Sequence, residues 1–196
     1  NMSEIMVTFA AIATGLGYPL NTMQLLWINL ISDIFPGLAL AMEPPEPDVL
    51  EQPPRDPSDP ILKNSDLKRM AFESTVISAG SLAVYGYGLL RYGPGMRAGT
   101  LAFQGLTTAQ LLHAYSCRSE TIGMFDREKL QPNPYLTAAL GGSLLLQATS
   151  LFIPGLRSLL GTAPIGLLDG AVIGAGAALP LIVNELTKNR SGREKQ

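Results

Sequence analysis

The chain has 196 residues, of which 46% are hydrophobic and 15% charged, and its net charge is −2. Soluble domains carry about 25% charged residues, so this composition argues against an ordinary water-soluble domain, and we expect no nucleic-acid partner. The single cysteine, Cys117, excludes an internal disulfide, and the single histidine excludes a Cys/His metal cluster. Charges cluster between 43 and 69, between 118 and 129 and after 185, which is typical of membrane spans joined by polar loops.

Six apolar stretches are candidate membrane spans, since a span needs about 20 residues at a rise of about 1.5 Å per residue. The first, 2–16, is short because the chain begins inside it, and Gly15, Gly17 and Pro19 end it. The other five stretches cover 23–42, 70–90, 98–116, 135–153 and 164–186. The sequence predicts an all-α, polytopic membrane helical bundle of about six transmembrane helices, the first truncated.

The spans and loops divide the chain into four parts. Residues 1–42 form a helix pair, 43–66 a Pro-rich acidic loop, 67–188 a four-helix C-terminal membrane domain and 189–196 a tail. Proline cannot continue a helix and favours extended neighbours, so the loop is predicted to be a semi-rigid connector. Two interpretations remain open for it: a spacer, or a strap that docks on a cytoplasmic domain.

Basic residues predict the orientation of the spans. The loops 43–69 and 117–134 and the C-terminal tail carry most of the 14 Lys and Arg, whereas the alternate loops carry Arg91, Arg97 and Arg157. Cytoplasmic loops are the ones enriched in Lys and Arg. We therefore expect the richer side and the C-terminus to be cytoplasmic.

Small residues recur in the last span. Gly170, Gly174 and Ala178 are spaced by four. Because this spacing places them on one helical face, it predicts that a neighbouring helix approaches closely there.

Two carboxylates lie inside predicted spans, where ionisable groups are costly and by default mark an ion pathway or binding site. Glu4 lies in the first span, with Asn1 three residues before it on the same helical face. Asp33 lies near the middle of the second span, with Asn29 and Ser32 close to it on the same face or its edge.

Pro36 is predicted to distort the helix from Ser32 to Pro36. It has no N–H, and its ring collides with the carbonyl of Ser32; Gly37 weakens the helix further. Carbonyls freed at membrane depth are tolerated where a neighbour, water or an ion uses them. Carboxylates, amides, a hydroxyl and free carbonyls form an all-oxygen site of the kind that hard cations such as Ca²⁺ prefer. The alternative is a pair of carboxylates satisfied by interhelical hydrogen bonds.

Other polar residues of the spans allow less specific interpretations. Gln110 is a neutral candidate for the same cluster, or it joins helices by hydrogen bonding. The remaining ones are interpreted as packing or interfacial groups: Glu73, His113, Gln147, Asp169 and Glu185.

Four segments together resemble a known family. The run LLWINLISDIFPGLALAMEPPEPDVLEQPPR (25–55) closely resembles the sixth transmembrane helix and following loop of type II P-type ATPases, the calcium-pump group. NMSEI (1–5) resembles part of the fifth helix, TTAQLLHAYSCRSE (107–120) the eighth, and LPLIVNELTK (179–188) the end of the tenth. The resemblance identifies the six spans with helices five to ten of that family.

The resemblance also implies a set of cation ligands. They are Asn1 and Glu4 of the fifth helix, Asn29, Ser32 and Asp33 of the sixth, and Gln110 of the eighth. Gln110 stands where two-calcium pumps have Glu. That departure removes one carboxylate and leaves a single Ca²⁺, a Mn²⁺ or a monovalent cation as alternatives.

The resemblance implies the membrane ion-binding part of an ATP-driven pump, most simply for Ca²⁺ or Mn²⁺. The D-K-T-G-T phosphorylation motif, the T-G-E-S/A loop and the fourth-helix Pro-Glu region are absent from this sequence. We therefore expect catalysis, with Mg²⁺ and ATP, to belong to partner regions: actuator, phosphorylation and nucleotide domains and helices one to four, all attached to a lipid bilayer. The alternative is a stand-alone non-catalytic membrane module or split subunit.

Overall fold

The structure is a computed structural model that describes residues 1–45, 60–119 and 131–193, with side chains up to residue 187. The described residues contain helices and connecting turns and no β-strand. Most of the predicted Pro-rich loop lies outside them, and so does the choice between spacer and strap.

Eight α-helical segments lie in the described residues, and a π-helical segment joins the second to the third without a break. They are α1 Met2–Ala13, α2 Thr22–Ile28, the π-segment Asn29–Ile34, α3 Phe35–Ala41, α4 Asn64–Tyr92, α5 Met96–Ser116, α6 Pro134–Phe152, α7 Pro154–Leu160 and α8 Leu167–Arg193.

Three of these helical stretches are long and apolar enough to cross a membrane: Thr22–Ala41, Pro134–Phe152 and Leu167–Thr187. Met2–Ala13 is apolar but shorter. The other two predicted spans became α4 and α5, which are 29 and 21 residues long. α5 is the more deeply buried of the two, with most of its residues from Ala98 to Leu111 in the interior. The prediction of an all-helical membrane bundle is confirmed.

Several helix boundaries differ from the predicted ones. α4 begins at Asn64, inside the predicted loop, because the Asp66 carboxylate accepts the backbone N–H of Lys63 at 2.8 Å and caps the helix. α8 continues to Arg193, into the predicted tail. α1 ends at Ala13, and the chain turns through Gly15 at a φ of 73°.

The short helix α7 was not predicted. Pro154 lies in its first turn, where its missing N–H costs nothing. Gly161 ends it in the left-handed conformation, and the Asn21 side chain donates to the Leu160 carbonyl at 2.9 Å.

The core lies around α5, which packs against α4, α6 and α8. Phe103, Leu101 and Leu106 of α5 are fully buried. This central position of α5 brings Gln110 into the interior beside α1.

The prediction that a neighbouring helix approaches closely at the small residues of the last span is wrong. Gly170 and Gly174 are exposed, and a Cβ added at either would meet no atom within 4 Å. The close approach of α4 and α8 occurs instead at Gly80 and Gly176. A spacing of four selects a helical face, but it does not say whether that face points to protein or to lipid.

Candidate cation site

The first turn of α1 meets the π-segment through two amides. The Asn1 side chain donates a hydrogen bond to Oδ1 of Asn29. The Asn29 amide donates in turn to the Leu25 carbonyl at 2.9 Å. Two of the predicted ligands, distant in sequence, are therefore in direct contact.

Glu4 contacts Gln110 of α5. Glu4 is only 6% exposed, and Gln110 Nε2 donates to its Oε1 at 3.1 Å and to Ser3 Oγ at 3.1 Å. The Gln110 carbonyl oxygen is buried and has no hydrogen-bond partner among the described residues. Burying an acceptor without a partner is costly, so this oxygen is available to a water or a cation.

Ser32 and Asp33 lie next to each other on the π-segment. The Ser32 hydroxyl is 2.8 Å from the Ile28 carbonyl and 3.2 Å from Asp33 Oδ1. Two carboxylates, those of Glu4 and Asp33, thus belong to the candidate site, and like charges in a medium of low dielectric repel each other. Asp33 is exposed in this chain, whereas Glu4 is buried. The candidate site therefore opens to one side, at Asp33.

The predicted helix distortion is confirmed, and it covers Asn29–Ile34, slightly before the predicted position. In π-helical geometry the Ile31 carbonyl would pair with the N–H of residue 36, but Pro36 has none. Ser143 of α6 supplies the missing donor, with its hydroxyl 2.7 Å from that carbonyl. A neighbouring helix thus uses the carbonyl that the proline frees.

Ser143→Ala should destabilise the protein and weaken cation binding, because it leaves the Ile31 carbonyl buried without a donor. Interhelical hydrogen bonds of this kind contribute about 0.6–2 kcal/mol in membranes. We expect a lower free energy of unfolding in detergent and a several-fold loss of cation affinity.

Thr149→Ala is the matched control, because Thr149 lies on the same helix and its hydroxyl donates to the Leu146 carbonyl of its own turn, its one partner among the described residues. An unchanged stability and cation affinity in Ser143→Ala would show that the π-segment does not depend on α6.

The donor atoms of the candidate site are all oxygens. Within the described residues, no three His, Cys, Asp or Glu side chains come together as a metal-binding group. The available ligands are the two carboxylates and the amide and hydroxyl oxygens around them. This set suits a hard cation and does not suit a metal that requires thiolate or imidazole.

Asp169 and Gln147 have protein partners near the α7 side of the bundle. Asp169 is 1% exposed and accepts hydrogen bonds from Tyr92 OH at 2.8 Å, Tyr87 OH at 3.1 Å and the Gly166 N–H at 2.7 Å. Gln147 Oε1 accepts from the Trp27 indole at 2.9 Å.

Glu73 and Glu185 have partners on the opposite side. Glu73 contacts Arg69 at 2.5 Å and His113 at 3.4 Å, and Ser116 donates to Glu185. These contacts join α4, α5 and α8, and none of them reaches the candidate site.

Two site contacts were missed by sequence reasoning, Ser3 and Ser143. Ser3 directly precedes Glu4, and this adjacency to a candidate ligand could have identified it. Ser143 lies in a run of small residues of α6, and nothing near it in the sequence indicates a contact with the site.

Residues 17–190 match the family of cation transporting ATPases, in its C-terminal region. The chain belongs to this family. The family that the sequence resemblance indicated is thereby confirmed.

Individual relatives agree with this assignment. Calcium-transporting ATPase 1 of Bacillus cereus is 30% identical over 96% of this chain and 23% of its own length. Calcium-transporting ATPase of Bacillus subtilis is 32% identical over 92% of this chain and 20% of its own length. Calcium-transporting ATPase type 2C member 2 of Mus musculus is 33% identical over 87% of this chain and 18% of its own length. The chain therefore spans about a fifth of the length of these relatives.

Proposed function

We propose that this chain is the membrane ion-binding part of an ATP-driven pump that carries Ca²⁺ across a membrane. The observation that supports it best is that Gln110 contacts Glu4 and Asn1 contacts Asn29 beside the π-helical segment that carries Asp33. π-Helical segments are frequent at functional sites, and this one lies in a chain similar to calcium-transporting ATPases.

The charge and ligand types of the site favour a divalent cation. Two carboxylates that repel each other in a medium of low dielectric are stabilised by a cation placed between them. Ca²⁺ takes about six to eight oxygen ligands, so Asn1, Glu4, Asn29, Ser32, Asp33 and Gln110 would supply part of its coordination. Mn²⁺ accepts the same oxygen ligands and is the alternative cargo.

The proposal assigns the chemistry of ATP to regions outside this chain. Actuator, phosphorylation and nucleotide domains, with Mg²⁺ and ATP, and helices one to four would complete the pump. The excess of Lys and Arg in alternate loops supports a cytoplasmic C-terminus in a multi-pass membrane protein.

The test uses the full-length pump reconstituted in lipid vesicles. Ca²⁺ should stimulate both the formation of an acid-stable phosphoenzyme from ATP and the uptake of radiolabelled Ca²⁺ into the vesicles. Mn²⁺ is tested by competition with labelled Ca²⁺, and Na⁺ and K⁺ are tested alone. Phosphorylation that responds to a monovalent cation and ignores Ca²⁺ and Mn²⁺ would reject the proposal.

A further inference from the structure

A charged cluster outside the candidate site fastens the end of α3. Glu43 follows that helix, and its Oε1 accepts from Arg118 Nε at 2.9 Å and from Nη2 at 2.6 Å. The two side chains are only 16% and 10% exposed. Hydrogen bonding to Glu43 raises the pKa of Arg118 above its ordinary value, so the arginine stays charged throughout the physiological range.

Asn133 completes this cluster from α6. Its Nδ2 is 2.6 Å from Glu43 Oε2 and 3.1 Å from the Ala39 carbonyl of α3. Its Oδ1 accepts the Leu136 N–H at 2.9 Å and caps α6. Arg118 lies two residues beyond the end of α5, so the Glu43–Arg118–Asn133 clamp joins the ends of three elements.

The same partner helices also contact the candidate site. α5 carries Gln110, which holds Glu4, and α6 carries Ser143, which holds the Ile31 carbonyl. The helix that contains Asp33 is therefore held by α6 within the π-segment and by the clamp at its end. Between these two attachments the helical ladder is interrupted, so contacts with neighbours must determine where Asp33 lies.

We propose that Glu43, Arg118 and Asn133 are positioning residues, which hold Asp33 at the separation from Glu4 that cation binding requires. The inference rests on the proposed function. Loss of one partner would leave the other charge largely removed from water and unpaired, and α3 would shift or rotate to solvate it. Asp33 would move with α3, so cation affinity would fall while the distant ATP chemistry continued.

The test compares Arg118→Ala, Glu43→Ala and the double variant in the full-length pump. Each single variant should raise the Ca²⁺ concentration for half-maximal phosphorylation about tenfold, a usual coupling for contacting residues. The maximal phosphoenzyme level should be retained, and the double variant should be no worse than the worse single one. Arg118→Lys should recover part of the affinity, since it restores the charge.

Asp66→Ala is the matched control, because it also removes an acidic side chain, one that lies at the start of α4 and caps that helix by accepting the Lys63 N–H. Its Ca²⁺ dependence should equal that of the unaltered pump. A fall in maximal phosphoenzyme without any change in Ca²⁺ affinity in Arg118→Ala would overturn the positioning role.

A distance measurement separates this inference from the proposed function. Spin labels at Ile5 of α1 and Leu38 of α3, both exposed in this chain, report the separation of the two helices in a background from which Cys117 and any other reactive cysteine have been removed. Without any cation, Arg118→Ala should broaden or shift the distance distribution, and Asp66→Ala should not. If Arg118→Ala does not fold, the comparison is made with Glu43→Gln, which keeps the size of the side chain but removes the charge that pairs with Arg118 and one of the two acceptor oxygens.

The outcomes of the two measurements are distinct. A pump that ignores Ca²⁺ but shows the altered distance would reject the proposed cargo and retain the clamp. A Ca²⁺-dependent pump in which the clamp variants leave affinity and distance unchanged would reject the clamp and retain the cargo.

Discussion

Asp33→Asn should abolish cation-dependent phosphorylation from ATP in the full-length pump, whereas Gln110→Ala should weaken it only several-fold. Asn has the size of Asp but removes a full negative charge from the candidate site, in which Glu4 is the other carboxylate. Gln110→Ala removes a neutral donor to Glu4, and such an interhelical hydrogen bond contributes about 1 kcal/mol. The large difference follows from charge, because in a medium of low dielectric a lost charge weakens cation binding more than a lost dipole.

The measurement is phosphoenzyme formation over a range of Ca²⁺ concentrations, with expression and membrane insertion matched between variants. Phosphorylation by inorganic phosphate in the absence of Ca²⁺ serves as the folding control, since it does not require the cation site to be filled. Normal Ca²⁺ affinity in Asp33→Asn would contradict the assignment of Asp33 as a cation ligand. Equal losses in the two variants would instead mean that Gln110 is itself an essential ligand.

Gly176→Ala should destabilise the bundle by about 1–3 kcal/mol, the usual cost of overpacking a close contact. A Cβ added at Gly176 would lie 2.3 Å from Val84 Cγ2, far inside van der Waals contact. Val84 is 1% exposed and branched at Cβ, so it has few other rotamers to adopt. α4 and α8 would therefore have to separate, and the packing that they share with α5 would loosen.

The test measures unfolding in detergent as a function of temperature or denaturant. Gly174→Ala is the matched control, because it lies on the same helix and its added Cβ meets nothing within 4 Å. The double variant Gly176→Ala with Val84→Ala should recover stability relative to Gly176→Ala alone, since the clashing methyl group is gone. Equal stability of Gly176→Ala and Gly174→Ala would contradict the packing of α4 against α8.

Local features of the sequence determined the helices themselves. Apolar runs predicted α6 and α5 to within two residues at each end. Pro36 predicted an irregular helix in the second span, because a proline removes a donor whatever its neighbours are. Glu4 and Asp33 stood out as candidate ligands, since the cost of a charge in hydrocarbon depends on the membrane and does not require knowledge of the fold.

Contacts between distant segments were decided only by the tertiary structure. The spacing of Gly170 and Gly174 was visible in the sequence, but which face of α8 meets α4 depends on where the other helices lie. Ser143, Glu43 and Arg118 have no distinctive pattern around them in the sequence. Ser143 and the Ile31 carbonyl lie more than 70 residues apart, and so do Glu43 and Arg118. Sequence periodicity shows which residues share a face of one helix. Which face is buried, and against which partner, depends on how all the helices pack, so only the tertiary structure showed it.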